Sequence, residues 1–221
     1  MSAVPTVPTV PTSPSHPAAP LVLYHVPLSG HCHRVQLLLS LLDLPYRCEL
    51  VDVRGGANKA EPFLRLNPFG QIPVLDDNGT VIADSNAILV YLALRYDHEG
   101  RWLPRDPVQA AAVQRWLSVA AGEIAYGPAR ARIAKLFGRD LPVDDARQQA
   151  ARLFEVMEPL LAAAPYLAAD HATLADVAAY AYIARAEEGG VSLAPYPAIR
   201  AWLARVEALP RFVPMPVAQA A

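Results

Sequence analysis

Asn67-Pro68-Phe69-Gly70-Gln71-Ile72-Pro73-Val74-Leu75, followed by Asp76-Asp77-Asn78-Gly79, Thr80-Val81-Ile82 and Asp84-Ser85-Asn86-Ala87-Ile88, is the stretch whose pattern decides the fold. Asn78-Gly79 between two short apolar runs is a strong hairpin signal, so the runs on either side pair antiparallel. Ser85 then precedes a helix with Ile88, Tyr91 and Leu92 on one face. Pro73, at a strand start after a glycine and a polar residue, admits two arrangements. One is a trans strand-entry proline, and the other is a cis bond that turns the N–H and C=O of Ile72 toward a ligand.

Upstream, Leu21 to Val26 is an apolar run of strand length that Pro27 ends. Val35, Leu38, Leu39 and Leu42 then fall at helical spacing, which predicts a helix beginning near Cys32 and stopped by Asp43-Leu44-Pro45. Tyr46 to Val53 alternates, with Cys48 and Leu50 on one side, so Cys48 is expected to be a small core residue. A glycine-rich turn and a short helical piece, Lys59 to Leu66, lead back to the hairpin. The order β-α-β-α-β-β-α is that of a compact α/β domain whose first two strands run parallel across a helical crossover.

Downstream, the polar segment from Tyr96 to Pro107 carries Gly100, Pro104, Asp106 and Pro107 as breakers and reads as a linker. Four apolar stripes follow: Val113, Trp116, Leu117 and Ala120; Leu153, Val156, Met157 and Leu160; Leu174, Val177, Ala178 and Ala181; Ile199, Trp202, Leu203 and Val206. Thr173-Leu174-Ala175-Asp176 has capping-box spacing, so Asp176 is read as a folding residue. The expected organisation is an α/β domain over residues 21–97 and an all-helical domain over residues 107–217. Residues 1–20 form a tail with three Val-Pro-Thr repeats between Val4 and Thr12, read as a solvated polyproline-type extension.

The 221 residues are 53% hydrophobic and 18% charged, with a formal charge of -2, which argues for a folded chain and against a basic nucleic-acid or acidic-membrane binder. Two cysteines cannot form a disulfide scaffold or a four-thiolate zinc site and suggest a reducing, cytoplasmic setting. Met1 to Pro20 has six prolines and no Lys, Arg, Asp or Glu, unlike a secretory signal, and no apolar run approaches the ~20 residues of a membrane span. His31-Cys32-His33 has metal-ligating residue types, but neighbours at a helix start diverge by about 100°, so no metal is expected.

Three places can carry chemistry. Ser29, ahead of a helix N-terminus, is either an ordinary N-cap or a hydroxyl that donates to a thiolate held at the positive helix end. Ser29 and Cys32 have the spacing of a Cys-x-x-Cys pair with its first cysteine replaced, which removes a dithiol route. Ile72-Pro73 is the second place. Asp84-Ser85 is the third, where Ser85 is a helix N-cap or the pair holds a ligand's carboxylate and ammonium. Tyr126 and Arg130, one turn apart, either line a second-substrate pocket or serve as a packed tyrosine and a solvated arginine.

With Ser29 and the following Arg34-Val35, Asn58-Lys59, Asn67 to Pro73 and Asp84 to Ile88, the chain resembles the glutathione S-transferases over residues 21–217. It is most similar to serine-type classes such as phi, zeta and theta and to related bacterial enzymes. The resemblance implies a thioredoxin-like N-terminal domain followed by an all-helical one, and an enzyme that directs the glutathione thiolate at a small electrophile. It implies Ser29 at the glutathione sulfur, Ile72 before cis-Pro73 on the cysteinyl backbone, and Asn58, Lys59 and Gln71 toward the glycyl end. Asp84 and Ser85 would hold the γ-glutamyl end, with Asp84 standing where many members have Glu, and His31 would be accessory. The resemblance also implies a homodimer, with Phe69 either an intersubunit anchor or folded back onto its own domain. Glutathione-dependent disulfide or peroxide reduction, isomerisation, or a non-catalytic binding module are the alternative functions.

Overall fold

The computed structural model describes residues 16–218; the Val-Pro-Thr repeat lies outside the described residues. Strand β1 (Leu21–His25) leads through a turn into helix α1 (Gly30–Leu41), and β2 (Tyr46–Leu50) returns parallel to β1. A single turn (Ala57–Lys59) and α2 (Glu61–Leu64) precede β3 (Val74–Asp77), β4 (Thr80–Ala83) and α3 (Ser85–Tyr96). The sheet order is β2-β1-β3-β4, with β3 antiparallel to both β1 and β4. This is the parallel pair and antiparallel hairpin that the sequence pattern predicts. A thioredoxin-like α/β unit is therefore followed by an all-helical one.

The helical part comprises α4 (Pro107–Ala121), a π-helical stretch (Ala125–Ala129), α5 (Arg130–Phe137), α6 (Val143–Ala163), α7 (Leu174–Ala184), a 3-10 turn (Ala186–Gly189) and α8 (Pro197–Glu207). Every one of the ten residues from Leu174 to Ile183 is buried, so α7 is the central post of the helical part. Thr173 and Asp176 form the expected capping box at its start. Asp176 does more than cap. Its carboxylate also accepts from the indole of Trp202 at 2.8 Å and from the backbone N–H of Leu167 at 3.1 Å. Four donors around one carboxylate offset part of the cost of burying it, although burial still pushes its pKa above the usual carboxylate range.

One apolar cluster runs without a break from Leu23 and Leu38 through Ile88, Leu92 and Leu117 to Val177 and Trp202. The segment between α3 and α4 belongs to it. Trp102 is buried, its N–H donates to Asp97 at 2.6 Å and its carbonyl accepts from Leu174 at 2.9 Å, so the polar linker is pinned to the start of α7. At this same C-terminal end of α3, Asp77 in the hairpin accepts from the hydroxyls of Tyr91 at 2.7 Å and Tyr96 at 2.5 Å, locking that helix to the sheet.

Three local expectations are corrected. On α6 the expected stripe is not the buried face: Leu153 and Met157 are buried, but Val156 and Leu160 are exposed and Phe154 and Leu161 take their places in the core, so the buried face is rotated from the predicted one. Cys48 is exposed and Leu50 is 71% exposed, because β2 is the edge strand and α1 covers only part of its face. The Cys48 sulfur instead accepts from the Gln36 side-chain amide at 3.3 Å. Ser85 is not an N-cap. Asp84 caps α3, accepting from the N–H groups of Asn86 and Ala87 at 2.9 and 3.0 Å, and Ser85 becomes the first helical residue. Among the described residues, no helix is long and apolar enough to cross a membrane.

Asp176→Ala is expected to lower the unfolding free energy by about 2–4 kcal/mol, since it removes a helix cap and leaves the buried Trp202 donor unpaired. Urea unfolding followed by tryptophan fluorescence measures it. An unchanged midpoint would show that Asp176 anchors nothing.

Candidate functional site

Strand register brings the separate motifs to one edge. His25 at the end of β1 lies opposite Leu50 at the end of β2, Tyr24 lies opposite Val74 at the start of β3, and Val74 lies opposite Ala83 at the end of β4. The turn to Ser29, the loop beyond β2, Ile72-Pro73 and Asp84-Ser85 therefore all leave the sheet at the same end. Residues more than fifty positions apart share a surface because parallel and antiparallel pairing alternate around β1.

Ser29 has extended backbone geometry (φ -84°, ψ 117°) and caps α1, its hydroxyl accepting from the Cys32 N–H at 3.3 Å. A hydroxyl that accepts this bond keeps its own proton to give away. The position behind it is filled by Gly30. A Cβ there would lie 2.7 Å from Cζ of Tyr182, so the first turn of α1 approaches α7 as closely as a residue without a side chain permits. Cys32 points the other way, into the core, where burial pushes its thiol up to about 11 despite bonds from Ser29 and the Val26 N–H. It is a protonated thiol at neutral pH.

The Ile72–Pro73 bond is cis, and Ile72 stands ahead of both ladders that begin at Val74. The loop before it is braced internally. Asn58 is buried and its amide donates to the Gly70 carbonyl at 2.7 Å, while Asn67 holds the Gln71 carbonyl at 2.8 Å. Gly70 sits at φ 59°, where a Cβ would strike the Asn58 carbonyl at 2.6 Å. Asn58 is thus a brace for this loop, with its amide turned inward. Lys59 is exposed, and its ammonium donates to the Phe69 carbonyl at 2.9 Å, leaving further N–H groups free. Gln71 and Phe69 face solvent, Phe69 at 79%.

Asp84 adopts φ 74° and ψ 128°, a left-handed conformation that costs a non-glycine residue of order 1–3 kcal/mol. Only its Oδ1 is used in capping α3. Ser85 is buried, its hydroxyl lying 3.3 Å from Arg34 and 3.4 Å from Nδ1 of His31. Arg34 is fully buried on α1 and also donates to Asn86 at 2.8 Å, while Asn86 donates onward to the Leu117 carbonyl on α4 at 3.0 Å. This relay joins three helices behind Asp84-Ser85. Sequence periodicity points to none of it, since arginine is by default an exposed residue.

His31 stacks edge-on against Tyr182, and burial, reinforced by the Arg34 charge, pushes it down to about 3. His33 is buried and its Nε2 donates to the Val213 carbonyl at 2.8 Å; burial likewise pushes it down to about 4. Both rings are therefore neutral near pH 7. With Cys32 they point to three different surroundings, and no cluster able to hold a metal occurs among the described residues.

The helical part meets this edge through α5. Tyr126 is 52% exposed, with the Arg130 guanidinium 4.8 Å from its ring centre, and Arg54 in the loop after β2 lies 5.9 Å from the ring of Phe137. The last contact joins the loop after β2 to the far end of α5. Arg132 on α5 reaches further in, donating to the Leu28 carbonyl at 2.7 Å.

Residues 28–95 match the family model described as Glutathione S-transferase, N-terminal domain, and residues 125–210 that of the C-terminal domain. Glutathione S-transferase 3 of Zea mays is 36% identical over 207 residues, covering 88% of this chain and 92% of that protein. A glutathione S-transferase structure from Pseudomonas fluorescens superposes with a TM-score of 0.84 at 37% identity, covering 89% of this chain and 99% of the other. A glutathione transferase homologue from Drosophila mojavensis, solved with bound glutathione, has a TM-score of 0.77 at 27% identity, covering 86% and 89%.

Stability is expected to fall between about pH 7 and about pH 4. The unfolded chain takes up protons on His31 and His33 near pH 6.5 while the folded chain refuses them, so stability is complete above that pH and lost as pH falls toward the folded values. Urea midpoints across this range test it. The decline is expected to shrink in a His31→Asn, His33→Asn double variant, and an equal slope in that variant would assign the loss to other groups.

Proposed function

The chain belongs to the glutathione S-transferase family, and from that premise we propose that it binds glutathione with the sulfur against Ser29 and directs the thiolate at a small electrophile. Residues 21–97 serve as the glutathione-binding domain and residues 107–217 as the domain that holds the electrophile. The observation that carries this reading is Ser29 itself: a hydroxyl at the start of an α-helix, beside the loop of a cis-proline. Unpaired N–H groups and the positive end of α1 favour an anion there, and a hydroxyl donor adds a charge-assisted bond. Together they lower a thiol pKa from about 8.5, which raises the thiolate fraction at neutral pH.

The remaining contacts divide by chemistry. Ile72 offers its backbone to the cysteinyl peptide. Lys59 and Gln71, both exposed, suit the glycyl carboxylate, with Asn58 supporting them by holding Gly70. Asp84 retains an oxygen outside its cap for the γ-glutamyl ammonium, and the N–H of Ser85, first in α3, suits the adjoining carboxylate. The Ser85 hydroxyl already accepts from Arg34 and lies against Nδ1 of His31, so its backbone N–H is the group left for that carboxylate. His31 closes the floor between Ser85 and Tyr182 as a neutral ring. Tyr126 and Arg130 present a stacked aromatic and cation to the electrophile.

Ser29→Ala is expected to lower kcat by about ten- to a thousandfold while KM for glutathione changes by less than about threefold, because one hydrogen bond to the thiolate is lost and the contacts at both ends of the tripeptide remain. Steady-state kinetics with glutathione and an activated aryl halide decide it. A full rate with an unshifted pH profile overturns the serine assignment.

The protein is further proposed to act as a homodimer with twofold symmetry, as closed twofold interfaces dominate homo-oligomers. The Phe69 ring, exposed on its loop rather than folded back, is suited to anchor a partner surface. Light scattering at micromolar concentration should give twice the chain mass; a monomer refutes the dimer, and an unaltered dimer in Phe69→Ser removes Phe69 as its anchor.

A further inference from the structure

Arg132 is 1% exposed, yet its guanidinium is not consumed by the helical domain that carries it. Nε pairs with Glu188 in the 3-10 turn at 2.6 Å, Nη1 crosses to the Leu28 carbonyl at 2.7 Å, and Nη2 is buried with no partner among the described residues. Leu28 is the residue immediately before Ser29. A buried, ion-paired arginine thus spends a short, charge-assisted bond on the backbone of the turn that presents the serine. Gly189, next to Glu188, shows how tightly the pair is seated, for a Cβ there would lie 2.7 Å from the Arg132 backbone nitrogen.

We propose that Arg132 is the positioning residue through which the helical domain sets the Ser29 turn and screens its carbonyl from the glutathione thiolate. This rests on the reading of Ser29 as the thiolate's hydrogen-bond donor. The physical argument has two parts. The β1–α1 turn has one backbone bond of its own ahead of the helix, Ser29 N–H to the Val26 carbonyl at 3.1 Å, which holds the Leu28–Ser29 peptide by its N–H side; Arg132 holds the same peptide by its C=O side, so without Arg132 a single bond within the turn is left to set the tilt of that peptide. A Leu28 carbonyl turned toward the sulfur would set a partial negative charge beside an anion. The guanidinium fixes that oxygen toward α5 and leaves a net donor, Nη2, in a dry site.

The charged and titratable groups around this point are few. Glu188 also accepts from the Ala218 N–H at 3.3 Å and lies 3.9 Å from Arg185, so its negative charge is shared between two arginines. Arg147 on α6 donates to the Gly189 carbonyl at 3.0 Å. Tyr182 on α7, whose hydroxyl is pushed up by burial, is within electrostatic range of both Arg34 and Arg132 and stays protonated. His31 is neutral, and Cys32 remains a thiol. The balance at the turn is positive.

The test uses the full chain with glutathione and an activated aryl halide, reading kcat, KM and the pH dependence of kcat/KM in wild type, Ser29→Ala, Arg132→Met, Arg132→Lys and Glu188→Gln. Arg132→Met is expected to lower kcat about ten- to a hundredfold with KM for glutathione nearly unchanged, and to move the acidic inflection of the pH profile upward. Arg132→Lys, which keeps the charge without the planar fork, is expected to fall between that variant and wild type. Glu188→Gln, which leaves the guanidinium without its counter-charge, is expected to move the inflection downward. A purely structural role reduces the amount of folded protein and leaves kcat and the inflection of the folded fraction unmoved; that result overturns the proposal. Should Arg132→Met fail to fold, Glu188→Gln decides, and an inflection that stays or rises overturns it. A wild type without an acidic inflection, or one that Ser29→Ala leaves intact, refutes instead the reading of Ser29 on which the proposal rests.

Discussion

The approach of α1 to α7 at Gly30 is the contact on which the remaining geometry depends. With a Tyr182 ring carbon 2.7 Å from where a side chain would begin, no other residue fits unless the buried Tyr182 ring gives way. The helix start that carries Ser29 is consequently set by the helical domain as much as by the sheet. α7 can act as that post because it is buried on every side and held at its own N-terminus by the Thr173-Asp176 box. An apolar helix of this kind has no stable exposed state, so the two halves of the chain depend on each other for their burial.

Around that contact lies an unusual amount of buried charge. Arg34, Arg132 and Asp176 are each almost completely enclosed. Such groups are costly to desolvate and persist where each has hydrogen-bond partners. Asp176 has four donors and serves the fold alone. The two arginines are only partly satisfied, with Nε and Nη2 of Arg34 and Nη2 of Arg132 unpaired among the described residues. Both are tied to the sheet edge where the separate motifs meet, Arg34 behind Asp84-Ser85 and Arg132 behind Ser29. Incomplete satisfaction at those two points and complete satisfaction at Asp176 separate the arginines behind the motif edge from a buried charge that serves the fold alone.

The strained backbone of Asp84 belongs to the same division. An ordinary serine cap at Ser85 would start α3 without a left-handed residue. The chain instead places a carboxylate at φ 74°, caps two N–H groups with one oxygen and leaves the N–H of Ser85 at the helix end. That arrangement offers adjacent negative and positive features within one residue of each other.

The sequence by itself determined features that arise within a few residues: the Asn78-Gly79 hairpin, the apolar stripes of α1, α4, α7 and α8, and the capping box at Thr173. These follow from backbone periods and turn chemistry, which act locally and leave their mark in spacing. Alternation in β2 likewise shows which side chains share a face, but not whether that face is covered, and the edge position left Cys48 in solvent. Trp102 in a polar linker and α5, with its charged Arg130, Arg132 and Lys135, carried no clear periodic signal. Only the tertiary structure decided that Arg34 and Arg132 are buried and what they hold. Arg132 meets Leu28 across 104 positions of chain, and a pairing of that kind is set by how whole elements pack, which no local pattern encodes.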